Sequence, residues 1–267
     1  MSINRIINAE GDKKLVIQEA MNAGLIARTA SCGVCGNQMR EPTRDPKVQD
    51  GWRWRCCRIE KTIKVESFFK DSNVSFPKWM RFIVAWSRDQ NYTIENLKNA
   101  APVGKTAAKS MLKCVRDMCD RSLYDESDAT FLGGNGASVV IVPTTVRCKS
   151  GHDILLFHDG AKCFLAHHQN MPLKEGSSVF TDIVGLQLPN NCFCNSMANN
   201  TVVGYDQTLE DSARWLQGRR GIECGLASST AAEYVFRRHH FTGNIDGYAD
   251  IFLHKLRAIY QPVLANV

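Results

Sequence analysis

No run in this chain approaches the length of a membrane-spanning helix, and the opening residues, MSINRIINAEGDKKLVIQEA, hold no apolar stretch of seven or more. Neither a spanning segment nor a secretory leader is expected. Internal repeats and low-complexity tracts are also missing, which excludes solenoids and arrays. The 11 cysteines cannot all pair, and without a secretory leader they argue for reduced thiols and metal ligands over a disulfide framework. An intracellular home is expected. With 44% apolar residues, the 267-residue chain can build one large core or two modest ones.

Basic charge is scarce in the rear half. Residues 1–122 hold 22 Lys+Arg against 13 Asp+Glu, whereas residues 123–267 hold 11 against 14, so the overall +6 conceals about +9 in front and −3 behind. Such a front half attracts a polyanion and releases its counterions. A basic surface kept for solubility is the alternative on charge alone.

Residues 12–27 place Leu15, Val16, Ala20, Met21 and Leu25 at helical spacing. A cysteine-containing segment follows, from Ser31 to about Arg58. From Phe76 a buried helix is expected, with Pro77 in its first turn and Trp79, Phe82, Ile83 and Trp86 on one stripe. Thr93 opens a second helix, and a third runs from Gly104 or Lys105 to about Leu123. In the third, Ala108, Met111, Leu112, Val115 and Met118 face inward and Lys105, Lys109, Lys113 and Arg116 outward. Three helices with short connections and a basic third member form a helix-turn-helix pattern; an ordinary three-helix bundle with a solvated lysine face is the competing reading.

The acidic, Gly-rich run 124–136 marks a boundary. Beyond it come short β-rich runs at 138–148, 153–158, 162–167 and 191–194, with Pro143 demoting the first toward an edge or a bulge. Helical character returns at 209–216, 229–238 and 245–260. The expected class is α+β or α/β. The expected domains are a helical segment at 1–30, a zinc-binding segment at 31–70, a helix-turn-helix domain at 71–123 and a rear domain at 131–267.

Cys32-Gly-Val-Cys35 is a knuckle that lets two thiolates converge on one tetrahedral ion, and Cys56-Cys57 follows about twenty residues later, after GWRWR. Two thiolate clusters at that separation suit a structural Zn2+. Adjacent cysteines grip one ion only with a strained backbone, so a missing fourth ligand, or Glu60 in its place, stays open. The other cysteines (114, 119, 148, 163, 192, 194 and 224) read as small buried hydrophobes. Trp52 and Trp54 read as packing around the knuckle.

The features CGVCGNQM, DGWRWRC, KTIKVESFF, the helix KWMRFIVAW and the segment ending VRDMCD resemble, in their order and spacing, the amino-terminal region of Merlin transposases and their bacterial insertion-sequence relatives. The opening NAGLIA and the later AEYVFRRHH fit the same family. The resemblance is strong over residues 12–122 and thin after it. It implies a zinc-binding, helix-turn-helix DNA reader followed by a ribonuclease H-like domain, in which three carboxylates hold two divalent metals for strand cleavage. Homodimerisation is a further expectation from the family.

Here the sequence departs from the family. After the turn Gly133-Gly134-Asn135-Gly136 the strand reads ASVVIVPTT, with Val142 and Pro143 where the first acid is expected. After Leu188-Pro189 the strand reads NNCFCNSM, with Asn195 and Ser196 in place of the second. Glu223 is the candidate survivor for the third. Asp153, Asp159, Asp182, Asp206, Glu210 and Asp211, with His152, His158, His167 and His168, are the groups available for a rebuilt site; His239-His240 reads as a basic surface or helix end.

Three functions follow as expectations. The first is a nuclear, transposase-derived protein, a pseudoenzyme that binds double-stranded DNA through Lys105, Lys109, Lys113 and Arg116, flanked by Arg53 and Arg55, as a regulator or complex subunit. The second is an active transposase or nuclease with relocated carboxylates. The third is a protein-interaction scaffold.

Overall fold

The computed structural model describes residues 3–39, 41–125, 132–133, 138–147, 153–159, 163–166, 173, 175–181, 183, 187–188, 192–196, 227–241 and 243–260. Its elements in chain order are α1 (Ile3–Asn8), α2 (Lys13–Asn22), β1 (Ala30–Ser31), β2 (Gln38–Met39), β3 (Thr43–Arg44), β4 (Trp52–Cys56), β5 (Ile59–Thr62), α3 (Phe76–Arg88), α4 (Ile94–Ala100), α5 (Lys105–Asp125), β6 (Ser138–Arg147), β7 (Asp153–His158), β8 (Cys163–Ala166), β9 (Ser178–Thr181), β10 (Phe193–Ser196), α6 (Ala227–His240) and α7 (Tyr248–Ile259). Mixed helix and sheet is therefore the class. Two compact units form, one from residues 1–115 with 240–267, the other from 116–239.

In the first unit, Asp12 caps α2 by accepting from the backbone N–H of Lys14 and Leu15 at 2.9 and 3.1 Å. Thr93 caps α4 by accepting from Asn96 N–H at 3.1 Å. Pro77 sits in the first turn of α3, where its missing N–H costs nothing. Trp79, Phe82, Ile83 and Trp86 of α3 are fully buried, and this helix packs against α1, α4 and α7. Phe68 and Phe69 meet Trp79 edge-on, and Trp86 meets Phe241 and Phe252 in the same way.

The sequence grouped residues 240–267 with the rear domain, but α7 packs on α3. The reason is apolar area. Ala249, Phe252, Leu253 and Leu256 form one buried stripe on α7, and Phe252 meets Trp86 of α3 edge-on.

The second unit holds a five-stranded sheet in the order β10-β9-β6-β7-β8. Strands β6, β7 and β8 form an antiparallel meander, β9 pairs parallel to β6, and β10 pairs parallel to β9. Leu132, Val139, Ile141, Leu155, Phe157, Leu173 and Val179 form its core. Of the two outcomes expected from Pro143, an edge or a bulge, the structure has the irregularity and not the edge: β6 is the central strand, Pro143 pairs with Leu155, and the register shifts between Pro143 and Arg147. Gly133 has φ +79°, and a Cβ there would lie 2.1 Å from Ser177 Oγ, so both backbone angle and space require glycine.

Candidate metal centre and cationic surface

Two short turns bring the four cysteines together. Strands β1 and β2 pair antiparallel, and in the loop between them Gly36 N–H donates to Cys32 O at 3.0 Å while Cys32 N–H donates to Asn37 O at 2.9 Å. Gly36 closes that turn at φ +72°. Across from it, Cys56 pairs with Ile59, leaving Cys57 and Arg58 as a two-residue hairpin loop with φ of 47° and 64°. That is the left-handed pair a tight hairpin demands. It also turns adjacent cysteines toward one point.

All four Sγ atoms lie within 4.8 Å of one another. Cys56 Sγ is 3.6 Å from Cys35 Sγ and 3.7 Å from Cys57 Sγ. A tetrahedron of sulfurs around Zn2+, with bonds of about 2.3 Å, has edges of about 3.8 Å. The donor set therefore fits a tetrahedral thiolate-binding cation with four cysteine ligands. Glu60 is turned elsewhere: its carboxylate accepts from Arg53 and Arg55. The backbone strain expected of Cys56-Cys57 is carried by Cys57 and Arg58 in the left-handed region.

Protons compete for this site. Backbone N–H groups of Cys35 and Val34 hold the Cys32 thiol down at about 7. Hydrogen bonding to Cys35 and its neighbours pushes Cys56 up to about 12, and Cys35 raises Cys57 as well. Four sulfurs this close cannot all ionise without a cation among them.

Trp54 is fully buried against Ala30, Cys32 and Met39, which makes it part of the core beneath the cysteines; Trp52 is half-buried.

The predicted cations divide into two groups. Lys105, Lys109 and Lys113 are exposed on α5 and have no ion partner among the described residues. Their four-residue spacing makes one stripe about 12 Å long. Arg53 and Arg55, in contrast, are held in a lattice with two carboxylates: Arg53 reaches Glu60 at 2.8 Å and Asp45 at 3.3 Å, and Arg55 reaches the same pair at 2.9 and 3.0 Å. Their charge is matched inside the small sheet. Arg116 is also not a free surface cation: it is half-buried, its Nε donates to Glu233 at 2.8 Å, and that glutamate, wholly buried, accepts from Arg237 at 3.1 Å. Helical periodicity placed Arg116 on the lysine stripe without knowing that another element covers that end of it.

The positions at which the resemblance led us to expect the first two acids are not neighbours. Val142 lies in β6 and Ser196 ends β10, two strands away across β9, which is about 10 Å of sheet. A metal pair about 4 Å apart could not be gripped from both. The strand beside β6 is β9, where Thr181 faces Ile141 in the ladder. Sequence reading overlooked β9 because four residues, SVFT, carry almost no periodicity. Asp182 comes next in the sequence and lies outside the described residues, as do Glu223, Asp206, Glu210, Asp211, His152, His167, His168 and the 209–216 run.

Comparison with family models, with curated proteins and with solved structures finds no match. Among the described residues no helix is long and apolar enough to cross a membrane.

Proposed function

We propose that this chain is a transposase-derived protein of the Merlin type that binds double-stranded DNA without cutting it, and that it acts in the nucleus as a DNA-bound regulator or complex subunit. The observation that carries the reading is the exposed stripe of Lys105, Lys109 and Lys113 on the third of three short-connected helices, none of them in a direct ion pair among the described residues. Two further features support it. The four cysteines suit a structural Zn2+ that would fix the segment ahead of the helices. The rear sheet, numbered from its own first strand, runs 3-2-1-4-5 with a meander and two parallel additions, the order of a ribonuclease H-like sheet.

On this reading each lysine neutralises a backbone phosphate and releases its counterion. Base discrimination would fall to shorter exposed side chains on the same helix, such as Thr106 and Ser110. Zn2+ supplies no chemistry beyond holding the turns together. The loss of cleavage rests on Val142, a hydrocarbon side chain in the central strand where a hard cation needs oxygen.

Replacing Lys105, Lys109 and Lys113 together with alanine reduces the slope of log affinity against log salt by about 2.7 for duplex DNA, at about 0.9 per phosphate contact. A gel-shift series over salt checks this, and an unchanged slope removes the stripe from the interface.

The strand order favours testing one alternative, a metal-dependent nuclease, because an acid, Asp182, follows β9 directly in the sequence. Supercoiled plasmid with magnesium or manganese stays intact on the proposed reading. Nicking that disappears in Asp182→Asn, Glu210→Gln or Glu223→Gln would establish the alternative.

A further inference from the structure

Beside the lysine stripe the first unit has an open groove of about 600 Å³. Gln49, Asn73, Ser75, Lys78, Lys98 and Asn99 supply its polar side chains, and no carboxylate lines it. Three of these residues belong to different parts of the sequence: Gln49 to the loop before β4, Lys78 to α3 and Asn99 to α4.

Something must hold that loop against the helices, and the structure assigns the task to Lys64. Its side chain is almost wholly buried and bonds to Asp50 at 2.9 Å, to Ser72 O at 3.0 Å and to Val74 O at 2.7 Å, with its ammonium 5.1 Å above the Phe76 ring. Lys13 adds a second tie by donating to Gln49 O at 3.0 Å. A buried ammonium is costly unless satisfied, and here one carboxylate, two carbonyls and a ring face satisfy it. The result is a fixed seam between residue 50 of the cysteine-bearing segment and residues 72–76 at the start of α3. The groove opens along that seam.

We infer that this groove seats a phosphodiester strand of duplex DNA, so that the cysteine-bearing segment and the three helices present one continuous binding surface. The inference rests on the DNA-binding reading and extends it to residues which that reading does not use. Charge sign and donor type choose the occupant. Lys78 has no ion partner among the described residues, and Lys98, bonded to Glu95 at 2.5 Å, also lines the groove. Gln49, Asn73 and Asn99 are exposed and offer N–H donors suited to phosphate oxygens. Backbone contact of this kind positions a protein on DNA and carries no sequence information.

The test uses the purified full chain, with Lys78→Gln and, separately, Gln49→Glu, measured against several unrelated duplexes over a salt series. Lys78→Gln lowers the salt slope by about 1 and weakens every duplex by a similar factor. Gln49→Glu, which keeps the loop's backbone tie to Lys13, also weakens every duplex by placing a negative charge in the groove. Unchanged affinity and slope in both variants, with the alanine variants of Lys105, Lys109 and Lys113 still impaired, overturns the groove assignment and leaves the DNA-binding reading standing. No salt-dependent binding by the unaltered chain overturns both. Selective loss for one duplex sequence overturns the backbone-contact assignment.

Discussion

Chelation of the cysteine site, or Cys35→Ser, is expected to unfold residues 30–62 and to raise the exposure of Trp54, with the metal contributing on the order of 10 kcal/mol to that segment. The segment has little else. Its strands are two to five residues long, and its own buried cluster is Ala30, Cys32, Met39 and Trp54. Hydrophobic burial on that scale falls well short of the ordering entropy of some thirty residues. Tryptophan fluorescence during chelator titration follows the loss, and readdition of zinc restores it. A spectrum indifferent to chelator would mean that the turns stand without a cation.

The same titration depends on pH in a defined sense. At neutral pH the metal-free Cys56 and Cys57 thiols are protonated, being held above their ordinary values, while Cys32, at about 7, is half ionised. The metal-bound form needs thiolates, so binding releases protons. Affinity therefore falls as pH falls, and calorimetry in buffers of different ionisation enthalpy counts the protons released.

Glu233→Ala is expected to destabilise the second unit by about 3–5 kcal/mol, because it removes the buried carboxylate that Arg116 and Arg237 share. Arg116 and Arg237 are 15% and 4% exposed and Glu233 is 0% exposed, so solvent cannot replace the lost charge. Nearby Cys119 is also buried, its thiol pushed well up by that burial and offering no countercharge. Unfolding by urea, followed by a signal from this unit, should show an earlier midpoint with an unchanged slope. A shift within a few tenths of a kcal/mol would mean that the triad is solvated. Arg116→Ala belongs with this variant, and a stability loss there separates it from the three lysines.

How much was legible in the sequence depended on whether a feature is local. Pro77, Thr93 and the Trp79–Trp86 stripe announce helices because capping and periodicity act within a turn or two. The knuckle at Cys32 and Cys35 is legible for the same reason. What could not be read was which surface another element covers. Arg53 and Arg55 looked like free cations until Asp45 and Glu60 were placed beside them. Arg116 had the spacing of Lys113 and Lys109, yet Glu233, 117 residues away, pairs with it. Strand order is nonlocal too. The central place of β6, despite Pro143, and the insertion of β9 between β6 and β10 follow from pairing, not from composition.

The central claim is that this chain binds duplex DNA through the lysines of α5 without cutting it. Its most direct test is a titration of duplex DNA with the unaltered chain between 50 and 200 mM salt. The account predicts a linear fall of log affinity against log salt with a slope steeper than about −3, from at least three lysine–phosphate contacts and the groove. A flat response, or no binding at the lowest salt, would contradict it.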